Sequence, residues 1–435
     1  MVAVVHVRRL LYAKHHGRAL QQEANIGQNT LLRISRFIAM PLPFQFIVKR
    51  PIYMEISRRE DRSYPRIIAF YLPQYHPIPE NDIWWEKGFT EWTNVTRARP
   101  LFPGHYQPRL PADLGFYDLR VPEVREQQAE LAKSYGVEGF CYWHYWFHGK
   151  RLLDRPLMEI LASGRPHLPF CIGWANESWT RSWTGDERDI LMQQTYSPED
   201  DLIHARVLAE VFADSRYIAV HGRPLFIVYR PPALPDARRT TDTFRSECVR
   251  LGVPEPFIVG RDTHYAGRDM RQFGCDITES SAPRFGVLSG VSDPPNRPAD
   301  WRRNIGLGVW RGMPKVFDYR DACRRAEAAR PAHPHVPGVF VGWDNTCRRG
   351  KRAIVLTGST PENFGEALRK ALLAVVPKAP EDRIVMINAW NEWAEGMYLE
   401  PDRRWGLGYL EALRHEVAEF AAQYPDVSRG SGSPQ

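Results

Sequence analysis

The chain predicts an α/β fold, a (β/α)8 TIM barrel with long loops at one end. Short apolar strands alternate with amphipathic helices from Pro65 onward, and eight such repeats occupy about 360 residues, the arithmetic of a barrel with insertions. The competing class, an open doubly wound sheet, lacks its GxGxxG after the first strand.

The expected strands are Arg66–Pro73, Gly139–Phe147, Leu168–Trp174, Pro224–Tyr229, Phe257–Arg261, Asp276–Ser280, Gly338–Trp343 and Arg383–Trp390, most of them rich in β-branched or aromatic residues. Helical signals fall between them. Val121–Tyr135 has Pro122 near its start, Arg155–Ser163 follows the second strand, and Asp200–Phe212 follows Ser197-Pro198-Glu199. Asp236–Leu251, Arg268–Phe273, Tyr319–Ala329, Pro361–Leu373 after Thr360, and Leu410–Ala422 complete the series.

The formal charge of +7 invites a nucleic-acid reading, so its location matters. Residues 1–63 hold eleven Lys and Arg against four acids and carry the whole excess, while the other 47 basic residues are matched by 47 acids. No basic face for a phosphate backbone and no nucleic-acid motif results, so nucleic acid is excluded as a partner. The expected organisation is a basic, poorly ordered leader at 1–64, a catalytic barrel at 65–425 and a disordered tail at 426–435. The longest uncharged run near the leader, Phe37 to Val48, is too short to span a bilayer. It could rest on anionic lipid through Arg33, Arg36, Lys49 and Arg50 as a weak peripheral contact. Six cysteines without a CxxC pair, two of them inside apolar strands, point to a reducing, cytoplasmic setting. No metal cluster of convincing spacing occurs, and no cofactor is expected.

In a barrel the chemistry sits where strands end, so polar groups there are the ones to read. The segment IVMINAWNEWAEGMYLEP at 384–401 places Glu392 and Glu395 beyond the last strand. Strand alternation sends Glu392 and Trp390 one way and gives Glu395 the wrong parity, so the backbone must leave the strand after Trp393 and turn. Gly396 makes such a turn sterically cheap. Two neighbouring carboxyls walled by Trp390, Trp393 and Tyr398 suit acid/base chemistry, because burial and like charge raise the proton affinity of one of them. Solvated glutamates on a surface turn are the bland alternative, which the density of Trp and Asn disfavours.

Other strand ends supply candidate substrate-binding residues: Gln74 and His76; Tyr142 and His144; Trp174, Asn176, Glu177 and Trp179; Glu279; Asp344; and Asn391 with Trp393. Arg181 joins them from the loop Ser178–Tyr196, which with Pro77–Asp118 is too long for a connector. His76 or His144 taken alone reads better as a satisfied polar cap; convergence at one end is harder to explain that way.

YLPQYH at 71–76, FCYWHYWF at 140–147, WANESWTRSW at 174–183, WDNT at 343–346 and NAWNEWAEGMYLEPD at 388–402 together resemble the WbsX family, often described as glycoside hydrolase family 99-like. The likeness runs from about Pro65 to Phe420. It implies a (β/α)8 barrel, a role on bacterial surface polysaccharide such as O-antigen or capsule, where members are labelled glycosyltransferases, and kinship with endo-acting α-mannosidases. It also implies Glu392 as base on the substrate's own 2-hydroxyl and Glu395 as acid on the leaving oxygen. The segment departs from the mannosidase pattern at Ala394, where His is expected, so the resemblance carries the carboxylate pair and leaves the sugar open. Asn176-Glu177 resembles the acid/base of other barrel glycosidases, but those place it on the fourth strand and their nucleophile on the seventh. Here the count gives the third and the eighth, which makes Glu177 a sugar-hydroxyl ligand.

Overall fold

Eight strands pair side by side until the last meets the first: β1 (Arg66–Tyr71), β2 (Gly139–Phe147), β3 (Phe170–Trp174), β4 (Arg223–Val228), β5 (Phe257–Arg261), β6 (Ile277–Ser280), β7 (His335–Phe340) and β8 (Ile384–Asn388). Every neighbouring pair is parallel, and β1 closes the ring by pairing with β8 from Arg66↔Ile384 to Ala69↔Ile387 and with β2 from Ile68↔Gly139 to Tyr71↔Tyr142. The expected closed barrel is therefore the architecture. This computed structural model describes residues 64–181, 186–262, 267–281, 283, 288 and 314–424. The basic leader, the tail and most of Ser281–Asp318 lie outside the described residues.

Helices cover the barrel: α1 (Pro122–Ser134), α2 (Arg155–Ser163), α3 (Pro198–Phe212), α4 (Ala237–Arg250), α5 (Tyr319–Ala328), α6 (Pro361–Val375) and α7 (Gly408–Gln423). Several start where the sequence signals a cap. The Ser197 hydroxyl accepts from Asp200 N at 3.1 Å, Thr360 from Asn363 N at 3.3 Å and Asp236 from Arg239 N at 3.1 Å. After β5 the expected helix is only a 3-10 turn, Met270–Phe273. None of the helices among the described residues is long and apolar enough to cross a membrane.

Alternation decides what each strand residue meets. Phe70 stacks on Trp143 inside the barrel at 4.8 Å, and the Arg261 guanidinium lies 4.1 Å over the Phe70 ring. Their sequence neighbours point outward: Tyr71 donates to Gln128 of α1 at 2.7 Å, and Tyr142 packs on Tyr71 at 4.5 Å. Further along the same outer face His144 Nε2 sits 3.0 Å from His204 Nε2 of α3, with Trp146 stacked on His204 at 4.6 Å and Trp174 edge-on to it at 4.7 Å. Two expected boundaries move. β7 starts at His335 because its register with β6 begins at Thr278↔His335, which leaves Trp343 and Asp344 in the following loop. β8 stops at Asn388, so Trp390 no longer follows the strand period and instead packs on Phe140 at 4.9 Å, in the outer layer.

Burial pushes His144 down to about 3 and His204 well below the ordinary histidine value of 6.5. Below pH 6.5 the unfolded chain therefore takes up protons that the folded pair refuses, so stability is full above that pH and lost as pH falls. The loss reaches about 1.4 kcal/mol per pH unit for each histidine. Urea unfolding from neutral pH into mild acid should show it, and His204→Phe, which keeps a ring against Trp146, should shallow the slope. An unchanged slope would locate the acid sensitivity elsewhere.

Candidate active site

The segment after β8 is built to turn two acids into one space. Trp390 N donates to Phe70 O at 2.7 Å, carrying the chain across the top of β1. Asn391 anchors it there: its side chain accepts from Leu72 N at 2.7 Å and donates to Leu72 O at 3.1 Å. Asn391–Glu392 then pairs antiparallel with Met397–Tyr398, and a 3-10 turn, Trp393–Glu395, joins the two short strands. Gly396 closes that turn at φ 64°, the left-handed region, and a Cβ on it would lie 3.0 Å from Asp344 N. The turn expected from strand parity is present, and the Glu392 and Glu395 side chains line one cavity.

The walls differ from those expected. Trp390, Trp393 and Tyr398 are fully buried behind the turn: Trp393 stacks on Tyr398 at 3.8 Å and donates to Glu400 at 2.7 Å. Glu400 also accepts from Tyr117 at 2.9 Å and Gln128 at 2.7 Å. Burial pushes its carboxyl up to about 7 against those donors. These groups hold the turn from behind. The cavity itself, of about 980 Å³, is lined by Trp85, Trp143, Tyr145, Trp179, Tyr196, Tyr229 and Trp343. Flat apolar faces with sparse polar groups suit the C–H faces of sugars.

Arg348 organises the charge. It sits on a short helix after β7, Thr346–Arg349, and its Nη2 reaches Glu392 at 2.6 Å while its Nη1 reaches Glu395 at 2.6 Å. Its Nε and Nη2 also donate to Glu91 at 3.0 and 2.7 Å. Burial pushes Glu392 up to about 8; Arg348 opposes that rise, and the charges of Glu395 and Glu91 add to it. The Arg348 helix is pinned by Asp344, which accepts from Thr346 N and Oγ1 at 3.1 and 2.7 Å and from Gln107 at 2.8 Å, and pairs with His105 at 2.9 Å. Burial alone would raise the Asp344 carboxyl, but the His105 hydrogen bond and the charge of Arg109 hold it below the usual range.

Of the residues singled out by sequence, Gln74, Asn176, Glu177, Trp179, Glu392 and Glu395 line the cavity. The others do not. Tyr142, His144 and Trp174 fall on the outer face of their strands. His76 is buried against Pro73 O at 3.0 Å. Arg181 braces the Trp85 ring from 5.4 Å and donates to Trp84 O at 2.8 Å. Glu279 pairs with Arg261 at 2.7 Å, and it is the arginine that borders the space. Asp344, Asn391 and Trp393 scaffold the turn and the Arg348 helix. Glu177, paired with Arg230 at 3.3 Å, follows the third strand of the closed barrel, so the arrangement with an acid/base on the fourth strand does not apply to it. Sequence reasoning missed Trp143 and Tyr229, and left Tyr145, one of the polar groups at the end of the second strand, out of the candidate binding residues. Alternation alone marked Trp143 and Tyr145 as sharing a face but did not say which face was inside. Glu91 carried no local signal at all. Among the described residues, no group of three or more His, Cys, Asp and Glu is placed to hold a metal ion.

The Gly396 geometry yields a stability test. Gly396→Ala should cost about 1–2 kcal/mol for the left-handed backbone alone, plus displacement of Asp344, measured by urea unfolding. Unchanged stability would show that the turn tolerates another conformation.

The sequence profile described as Glycosyltransferase WbsX matches residues 67–413. A protein described as uncharacterized, WxcX of Xanthomonas campestris pv. campestris strain B100, is 42% identical over 374 residues, 85% of this chain and 51% of that one. The chain thus spans about half the length of that relative. A solved structure described as a glycoside hydrolase-like protein aligns with a TM-score of 0.50 at 12% identity, over 88% of this chain and 98% of the other, a likeness of fold. The GH99 endo-α-mannosidase of Bacteroides thetaiotaomicron aligns with a TM-score of 0.48 at 15% identity, over 83% of this chain and 99% of that one.

Proposed function

The chain belongs to the WbsX family, and from that premise we propose a carbohydrate-active enzyme that cleaves or transfers a glycosidic linkage of a bacterial surface polysaccharide, O-antigen or capsule, with Glu392 as base and Glu395 as acid. The observation that carries this reading is the convergence of both carboxyls in one aromatic-lined cavity at the C-terminal end of the barrel. Glu392 is the drier of the two, with side-chain exposures of 10% against 23% for Glu395. Burial pushes the Glu392 carboxyl up to about 8, which makes its ionised form a stronger base toward a hydroxyl proton than an ordinary carboxylate.

In the proposed reaction Glu392 removes the proton of the sugar 2-hydroxyl as O2 attacks C1, and Glu395 gives its proton to the departing oxygen while the C1–O bond breaks. Water, or an acceptor hydroxyl in a transfer, then attacks C1 and opens the C1–O2 bond. Glu395 takes the proton of the attacking hydroxyl and Glu392 returns its proton to O2, restoring both groups.

The family's description favours a second reading, a glycosyltransferase using a sugar nucleotide. Against a diphosphate cradle, Arg348 is engaged by three carboxyls, Arg230 by Glu177 and Arg261 by Glu279. A polysaccharide-binding barrel without turnover is the third reading.

Incubation with bacterial surface glycans, with and without sugar nucleotides, read by mass spectrometry, separates them. Glu392→Gln and Glu395→Gln should each lower turnover by a factor of about 10²–10⁴ with glycan binding retained. Because the ionised form of Glu392 is the base, the rate should rise with pH through about 8, and that limb should vanish in Glu392→Gln. Full activity in both variants would make the pair structural; product only with a sugar nucleotide would establish the transferase.

A further inference from the structure

We infer that Glu91 and Arg348 act together as a positioning pair, holding the Glu392 and Glu395 carboxyls at a set separation and governing how tightly Glu392 keeps its proton. The inference rests on the carboxylate-pair reading and adds a third acid to it. Glu91 stands on the short helix Glu91–Arg97 in the loop after β1, and its side chain is completely buried. Through Oε1 alone it holds Arg348 Nε and Nη2, while Arg348 Nη1 and Nη2 reach Glu395 and Glu392.

Three carboxyls facing one guanidinium leave an excess of two negative charges if all are ionised. The Glu91 and Glu392 side chains and Arg348 are at most 10% exposed, so water screens that excess poorly. Glu91 Oε2 is buried without a hydrogen-bond partner, so the Arg348 guanidinium on Oε1 is what offsets the Glu91 charge. Burial raises the Glu91 carboxyl, with Arg348 opposing the rise. A guanidinium bonded in three directions cannot shift toward one carboxyl without releasing another. The charge on Glu91 therefore competes with Glu392 for the same cation.

The surrounding titratable groups do not replace this control. Tyr75, Tyr145 and Tyr229 face the cluster as phenols whose burial keeps them protonated. Cys347 is likewise pushed up by burial to about 12. Glu177 across the cavity is compensated by Arg230; Asp344 behind the Arg348 helix is hydrogen-bonded to His105 and compensated by Arg109.

Glu91→Gln removes a negative charge beside Glu392 and frees the guanidinium toward it, so Glu392 should ionise at lower pH, by about one pH unit. Arg348→Gln removes the cation and should move it the other way. The readout is the infrared band of the protonated Glu392 carboxyl, identified by its loss in Glu392→Gln and titrated in the full chain, with thermal melting to verify folding. Turnover, where present, should show its rising limb displaced to lower pH in Glu91→Gln with KM unchanged. Should Arg348→Gln fail to fold, Arg348→Lys, which keeps the charge but cannot span both carboxyls, should displace the band in the same direction by less. A folded Glu91→Gln protein in which the band titrates as in the parent would overturn the proposal. The infrared titration decides this even if no glycan is turned over, so failure of the pair and failure of the enzymatic reading are told apart.

Discussion

The guanidinium of Arg348, shared among three buried carboxyls, is the contact on which the geometry of the site depends. Taking any one of these charges out of water is costly, and their mutual attraction offsets that cost only when every hydrogen bond is well made. The three acids arrive from two directions, Glu91 from the loop after β1 and Glu392 with Glu395 from the turn after β8, while Arg348 comes from the loop after β7. One side chain therefore ties three loops together above neighbouring strands. Asp344 extends the tie: it pins the Arg348 helix from within, and its N–H donates to Glu395 O at 2.6 Å. A chain of polar contacts thus runs from His105 and Gln107 through Asp344 to the two acids.

Around that cluster the cavity is made by alternation. Inward positions of β2 contribute Trp143 and Tyr145 to the lining, and outward positions contribute Tyr142, His144 and Trp146 to the packing against the helices. The same aromatic-rich strand thus builds a binding wall and a core at once. Asn391, Trp393 and Glu400 complete the division of labour: they are polar or amphipathic, lie at a strand end and are fully enclosed, so their hydrogen bonds serve to fix the turn that presents Glu392 and Glu395.

What the sequence by itself determined was local. Eight strands could be counted because most are short apolar runs separated by helical signals, and the acid-bearing turn could be read because Glu392 and Glu395 have opposite strand parity and Gly396 follows them. The family resemblance was legible for the same reason, being carried by contiguous motifs. Only the tertiary structure decided which face of each strand looks into the barrel, since a period of two is unchanged when inside and outside are exchanged. That is why Tyr142, His144 and Trp174 pointed to the site in sequence and lie outside it in space; Trp390 left it for another reason, the end of β8 at Asn388, which tertiary pairing set. The pairing of Arg348 with Glu91 was beyond local reading altogether, because the two residues are 257 positions apart and only closure of the barrel brings the β1 and β7 loops over a common centre.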